Sequence, residues 1–229
     1  MRKPRLFTDQ PLTPGDQVVL EGTVARHLGN VLRARAGEQI ALFNGDGREF
    51  AAKVLSVSKR EVIVDIGAAA APQTESPVHT TLGLCLSKGD RFDWAIQKAT
   101  ELGVGAVAPL HSERVEFSIP QDRMKKRITH WQQIAISACE QCGLNRPPAV
   151  DGVLPLNTFM DQAQGLKLIA HPGEGPLDAG AVRDATDIAL LTGPEGGFSD
   201  DELAAARAAG FVGFALGERV LRAETAPVA

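Results

Sequence analysis

The sequence predicts an α/β protein: a small N-terminal β-barrel carrying one helix, followed by a mostly parallel α/β domain. Three observations support that reading. Short apolar runs with hairpin-turn signals crowd the first 72 residues, GAAAAPQTESP (67–77) reads as a linker, and strand-like and helix-like segments alternate from there on. The expected domains are 1–72 and 73–229.

In chain order, QVVL near Val18, QIALF near Ile40, EFAAKVLSV near Val54 and EVIVDI near Ile63 read as strands. Asn44-Gly45 and Asp46-Gly47 between two of them favour a tight hairpin turn. His27, Leu28, Val31 and Leu32 fall at helical spacing and predict one short helix over about Val24 to Ala34. After the linker, VHTTLGLCL reads as a strand, and Asp90 or a neighbour starts a helix through Trp94, Ile96, Ala99 and Leu102. VGAVAPL is the next strand, a long helix spans about Gln121 to Cys142, and KLIAH, DIALLT and FVGFAL are further strands. Ser199 and Glu202 have the spacing of a capping box and predict a helix start.

Parallel sheets bind ligands outside the carboxyl ends of their strands. Three stretches fall there: HPGEGP after KLIAH, TGPEGG after DIALL, and LGERVLRAETA after FVGFAL. Glycine lets backbone N–H groups approach a ligand with no Cβ in the way. A glycine-rich βα turn with no ligand explains any one of these stretches, but three at one edge favour a ligand cradle.

Composition excludes several classes. The net charge of −4 argues against general affinity for nucleic acid, yet residues 1–72 carry +2 and the remainder −6, so any RNA contact leans on the first domain. Three cysteines, an odd number, point to a reducing compartment and a cytoplasmic address, and no stretch reads as a membrane span or signal peptide. Gly103 to Ala108 spell G-x-G-x-x-A, but a helix precedes and a strand follows, the reverse of a dinucleotide-binding turn. Cys139-x-x-Cys142 sits at a helix end, where it gains no redox reactivity, and only Cys85 is left to complete a zinc set, so no metal is expected. His27, His111 and His171 border element ends and read first as ordinary surface residues.

TGPEGGFSDDE (192–202) and LGERVLRAETA (216–226) together resemble the signature of the RsmE family of SPOUT methyltransferases. RHLGNVLRARAGE (26–38), KGDRFDWAIQKATELGV (88–104), HSERV (111–115) and ACEQCG (138–143) extend the likeness over nearly the whole chain. The resemblance implies a PUA-like barrel, an α/β domain tied in a trefoil knot, S-adenosylmethionine as cofactor and a homodimer. It implies methylation of N3 of a uridine in 16S ribosomal RNA of the small subunit. Alternatives are a SPOUT enzyme acting on a ribose 2′-OH or a transfer RNA, and a non-catalytic RNA- or nucleotide-binding module. The family continues past Ala226 with a helix through the knot, and Cys142 and Leu144 stand where a small polar residue and an arginine are expected.

On that likeness, Leu191, Thr192, Gly193, Pro194, Glu195, Gly196, Gly197, His171, Leu216, Gly217, Val220 and Leu221 are the expected cofactor residues. Glu195 or Glu224 is the expected base for the N3 proton, and Arg222 the cation for the oxyanion that develops or for a phosphate; alternatively Arg222 and Glu224 simply pair. Arg2, Lys3, Arg5, Arg26, Arg33 and Arg35 form the expected RNA platform, joined by Arg114 and, unless it is a solvated face, the Lys125-Lys126-Arg127 run.

Overall fold

The computed structural model describes residues 3–72 and 76–229, so Arg2 and part of the expected linker lie outside the described residues. The chain forms two compact units. One comprises residues up to 75 together with Cys139–Pro147, and the other comprises Ser76–Ala138 and Pro148–Ala229.

The first unit is a five-stranded sheet in the order β1-β3-β4-β5-β2, with β1 Arg5–Phe7, β2 Gln17–Glu21, β3 Gln39–Phe43, β4 Phe50–Val57 and β5 Glu61–Ala69. β1 runs parallel to β3 and the other pairs are antiparallel. Register shifts after Phe50 and after Val54 mark bulges, which coil the sheet around one core that includes Leu20, Leu42, Phe50, Val62 and Val64. β5 runs on into the first residues of the expected linker, as far as Ala69. The predicted helix begins earlier than expected, as α1 Gly22–Arg26, and continues into a π-turn over His27–Val31. The wider turn breaks the period-3.6 pattern: Leu28 is fully buried, whereas Val31 and Leu32 are exposed.

The second unit holds a seven-stranded, all-parallel sheet in the order β12-β10-β11-β6-β7-β8, with β9 also on β7. These strands are β6 His79–Cys85, β7 Ala106–His111, β8 Ala149–Val150, β9 Leu154–Pro155, β10 Leu166–Ala170, β11 Asp187–Thr192 and β12 Val212–Phe214. The helices are α2 Arg91–Glu101, α3 Gln121–Cys142, α4 Leu156–Gln162, α5 Ala179–Arg183 and α6 Asp200–Ala208.

Alternating strand residues feed two cores. Leu82, Leu84 and Leu190 join Phe92 and Ile96 of α2 and Trp131 of α3, while Cys85, Ala189 and Leu191 join α4 and α6. Gly83 faces α4, where a Cβ would lie 2.7 Å from the Phe159 ring, so only glycine admits this close approach. After β12 the chain bridges Pro176 through Ala215 and then doubles back, ending in a 3₁₀ turn over Ala226–Val228 that reaches α2 and β11. Among the described residues no helix is long and apolar enough to cross a membrane.

Candidate active site

β12, β10, β11 and β6 are consecutive neighbours and all parallel, so the segments leaving their carboxyl ends meet at one edge of the sheet. Leu191 and Thr192 end β11 fully buried; Leu191 belongs to the core, and the Thr192 hydroxyl has no partner among the described residues. The chain then turns over Gly193–Gly197, closed by the Gly197 N–H donating to the Pro194 carbonyl at 2.9 Å, with Gly197 at φ +68°. A Cβ on Gly193 would lie 3.2 Å from the Phe198 ring, and one on Gly196 would lie 3.2 Å from Arg114 Cβ, so larger residues crowd this turn.

The capping box fixes where the turn stops. Ser199 N–H donates to Glu202 Oε2 at 2.9 Å, and Glu202 N–H donates to Ser199 Oγ at 3.3 Å. The other oxygen of Glu202 accepts the Glu113 N–H at 2.7 Å, tying the segment after β7 to the start of α6. Arg114, on that segment, donates from Nη1 to the Gly196 carbonyl at 3.0 Å.

A cavity of about 460 Å³ opens against this turn. His171, Gly193, Pro194, Glu195, Gly197, Val220, Leu221, Arg222 and Glu224 of the expected set line it, with Arg91, Ala170, Pro172, Phe198, Ala223 and Ala226. Leu191 and Thr192 are buried and do not line it, Gly196 faces an adjoining hollow with Lys88 and Arg114, and Leu216 and Gly217 fall outside its wall.

The two candidate carboxylates are held differently. Glu195 Oε1 accepts from Arg91 Nη1 at 2.8 Å and from the Lys88 N–H at 3.1 Å. Burial pushes its carboxyl up, but hydrogen bonds from its own backbone, from Arg91 and from Lys88 outweigh that and hold it below the ordinary 4.5. Glu195 is thus a committed anion that clamps the turn to the start of α2, and a weak proton acceptor. Glu224 Oε2 is buried with no hydrogen-bond partner among the described residues, 3.9 Å from Arg91 Nε. The alternative, an Arg222–Glu224 pair, does not form. Arg222 is exposed on the cavity wall with no side-chain partner among the described residues, and Glu224 faces Arg91 instead.

Of the expected RNA platform, Lys3, Arg26, Arg33 and Arg35 are exposed. Arg26 also bonds back to the Gly22 carbonyl at 3.2 Å. Arg5 corrects the expectation. Its side chain is 6% exposed, and it is spent on the Cys139 and Leu144 carbonyls, Asn145 Oδ1 and Glu49. A buried guanidinium with its donors taken grips its own chain and has nothing left for a phosphate. Sequence reasoning missed Arg91, Lys88 and Trp94 as wall residues; all lie in KGDRFDWAIQKATELGV, whose place at a strand's carboxyl end was the available signal.

The pattern of the RNA methyltransferase domain family matches residues 74–229, and that of the RNA methyltransferase PUA domain matches residues 20–67. A protein of Buchnera aphidicola named ribosomal RNA small subunit methyltransferase E is 31% identical over 98% of this chain and 90% of its own length. The protein of that name from Bacillus subtilis is 29% identical over 97% of this chain and 91% of its own. Among solved structures, a putative methyltransferase from Legionella pneumophila with bound SAM superimposes with a TM-score of 0.92 at 38% identity, covering 100% of this chain and 95% of that one. The ribosomal RNA small subunit methyltransferase E of Neisseria gonorrhoeae, bound to S-adenosyl methionine, gives 0.90 at 38% identity over 99% and 94%. The PUA-like half-barrel and the SPOUT α/β domain are therefore the fold class that the glycine-rich signatures implied, and the chain belongs to the ribosomal RNA small subunit methyltransferase E family of RNA methyltransferases.

Proposed function

We propose that this chain transfers a methyl group from S-adenosylmethionine to N3 of a uridine in 16S ribosomal RNA. The observation that carries the reading is the convergence of the turns after β10, β11 and β12 on one 460 Å³ cavity, a size suited to a small-molecule cofactor. The wall fits that cofactor: Pro172, Val220 and Leu221 offer apolar surface for a ring, and the bent backbone of Gly193–Gly197 offers N–H and C=O groups for polar edges. When bound, the cofactor supplies an electrophilic methyl carbon on a sulfonium.

The protein's own residues supply the rest. Uridine N3 is a weakly acidic imide nitrogen that must lose its proton before it can attack. Glu224, with an oxygen that has no hydrogen-bond partner among the described residues, is the group to accept that proton, while Glu195 holds the turn in place. Arg222, on the wall and without a side-chain partner among the described residues, is the cation for charge that spreads onto the uracil oxygens. Because N3 lies on the Watson–Crick edge, the base enters unpaired or splayed out. Lys3, Arg26, Arg33 and Arg35 serve as the RNA platform, and Arg2 lies outside the described residues. A homodimer in the cytoplasm completes the reading.

Calorimetry with S-adenosylmethionine, followed by nucleoside mass spectrometry of ribosomal RNA from a strain lacking the gene, tests this. Binding plus selective loss of N3-methyluridine is expected; loss of a ribose-methylated nucleoside instead, or no loss at all, overturns it. Arg222→Ala should lower methyl transfer about 100-fold while leaving cofactor affinity within about twofold, as removal of one oxyanion donor does elsewhere.

A further inference from the structure

The first turn of α2 borders a second hollow, of about 730 Å³, which shares Arg91 and Glu224 with the cofactor cavity and is otherwise walled by Lys88, Trp94 and Thr225 among others. α2 buries Phe92, Ala95, Ile96 and Ala99, a stripe that leaves Trp94 off the core. Trp94 is accordingly 41% exposed, whereas the other tryptophan, Trp131, is 1% exposed. An open indole is a stacking surface for a planar ring. Here it shares a wall with a carboxylate whose buried oxygen has no hydrogen-bond partner among the described residues, and with a guanidinium whose Nη1 donates to Glu195 and whose Nε lies 3.9 Å from that carboxylate.

The polar edge of uracil presents an N–H between two carbonyls. A carboxylate can accept the N–H while an arginine donates to a flanking carbonyl. Cytosine presents a lone pair at the same nitrogen, which a carboxylate repels. A ribose hydroxyl has no plane to stack.

We infer that this hollow is the subsite for the target base, with uracil stacked on the Trp94 indole and its imide edge turned toward Glu224 and Arg91. The inference rests on the methyl-transfer reading above and adds to it the residue that holds the base and the reason uracil is chosen over cytosine.

Trp94 is its own reporter, because the remaining tryptophan is buried. A short single-stranded RNA carrying one uridine, titrated into the full chain with S-adenosylhomocysteine present, should quench tryptophan emission; the same RNA with cytidine in that place should not. Trp94→Ala should raise KM for ribosomal RNA by about 10- to 100-fold, the range expected for one lost base–aromatic stack. Cofactor affinity by calorimetry should stay unchanged, and Trp94→Phe should recover most of the KM. Equal quenching by both RNAs, unaltered emission, or an unaltered KM in Trp94→Ala overturns the subsite. Emission that tracks protein concentration instead of RNA also overturns it, because a second copy would then be covering the indole. Failure of the unaltered chain to bind S-adenosylmethionine would instead defeat the methyl-transfer reading itself.

Discussion

Two glycine-rich turns in this chain are nearly alike in composition and opposite in chemistry. In the β3–β4 turn, Asp46 N–H donates to Asn44 Oδ1 at 3.3 Å, Arg48 N–H donates to Asp46 Oδ1 at 2.8 Å, and Arg48 pairs with Asp46 at 2.6 Å. That pairing lowers the Asp46 carboxyl from its usual value. Cys139–Pro147 then closes over the turn: Asn145 donates to the Gly47 carbonyl at 3.3 Å, Arg146 donates to the Asp46 carbonyl at 2.8 Å, and Arg5 grips the same segment. The turn after β11 sits beside polar atoms that lack such partners among the described residues: the Thr192 hydroxyl where the turn begins, and Glu224 Oε2 on the cavity wall. Glycine content marks both turns as tight. Unsatisfied polar atoms beside open volume mark only the second as a place for a ligand.

If the first region is architectural and the second is a ligand site, damage to each should read out differently. The largest effect is expected from Arg5→Ala, which strips buried carbonyls of their donor: about 4 kcal/mol of stability lost by denaturant unfolding. Arg5→Lys should rescue little, since one ammonium cannot reproduce a planar fork. Next, Gly193→Val should press on the Phe198 ring, 3.2 Å from the first added carbon, and weaken S-adenosylmethionine binding about 100-fold, with little change in melting temperature. Gly47→Ala, at φ +93° and with the added carbon 2.9 Å from the Arg146 guanidinium, should cost about 1–2 kcal/mol of stability and leave cofactor affinity alone. An effect of Gly47→Ala on cofactor affinity would break the contrast.

The smallest effect is a pH dependence. The Glu195 carboxyl is lowered in the folded protein, so the clamp it forms with Arg91 is complete above the ordinary 4.5 and is lost as pH falls through the depressed value. Cofactor affinity should therefore weaken at acid pH below that point, and Glu195→Gln, which has no charge to lose, should flatten the dependence.

What could be read from the sequence was local. α3 spans Gln121–Cys142 and α6 follows its capping box because the signals for both lie within a few residues of the element they control. β1 went unread because three residues, RLF, carry no periodicity; pairing with β3 makes them a strand. Val31 and Leu32 were expected in the apolar face of a regular helix, and a π-turn put them in solvent. Arg5 was taken for a phosphate contact because a basic cluster surrounds it, and the carbonyls that bury it come from residues more than 130 positions away. Arg91 was overlooked for the same reason, since its partner Glu195 is 104 positions distant. Burial likewise pushes the Cys139 thiol up to about 12, so half of the C-x-x-C is an inert thiol set beside the Arg146 carbonyl.

Membership of Cys139–Pro147 in the first unit bears on the order of synthesis. When residues up to 75 leave the ribosome, Arg5 has yet to meet its carbonyls and Phe7 N–H has yet to meet Glu140. The early strands must wait, their clasp untranslated, until the chain has grown past Pro147, so this half of the molecule is begun first yet cannot be completed ahead of much of the other.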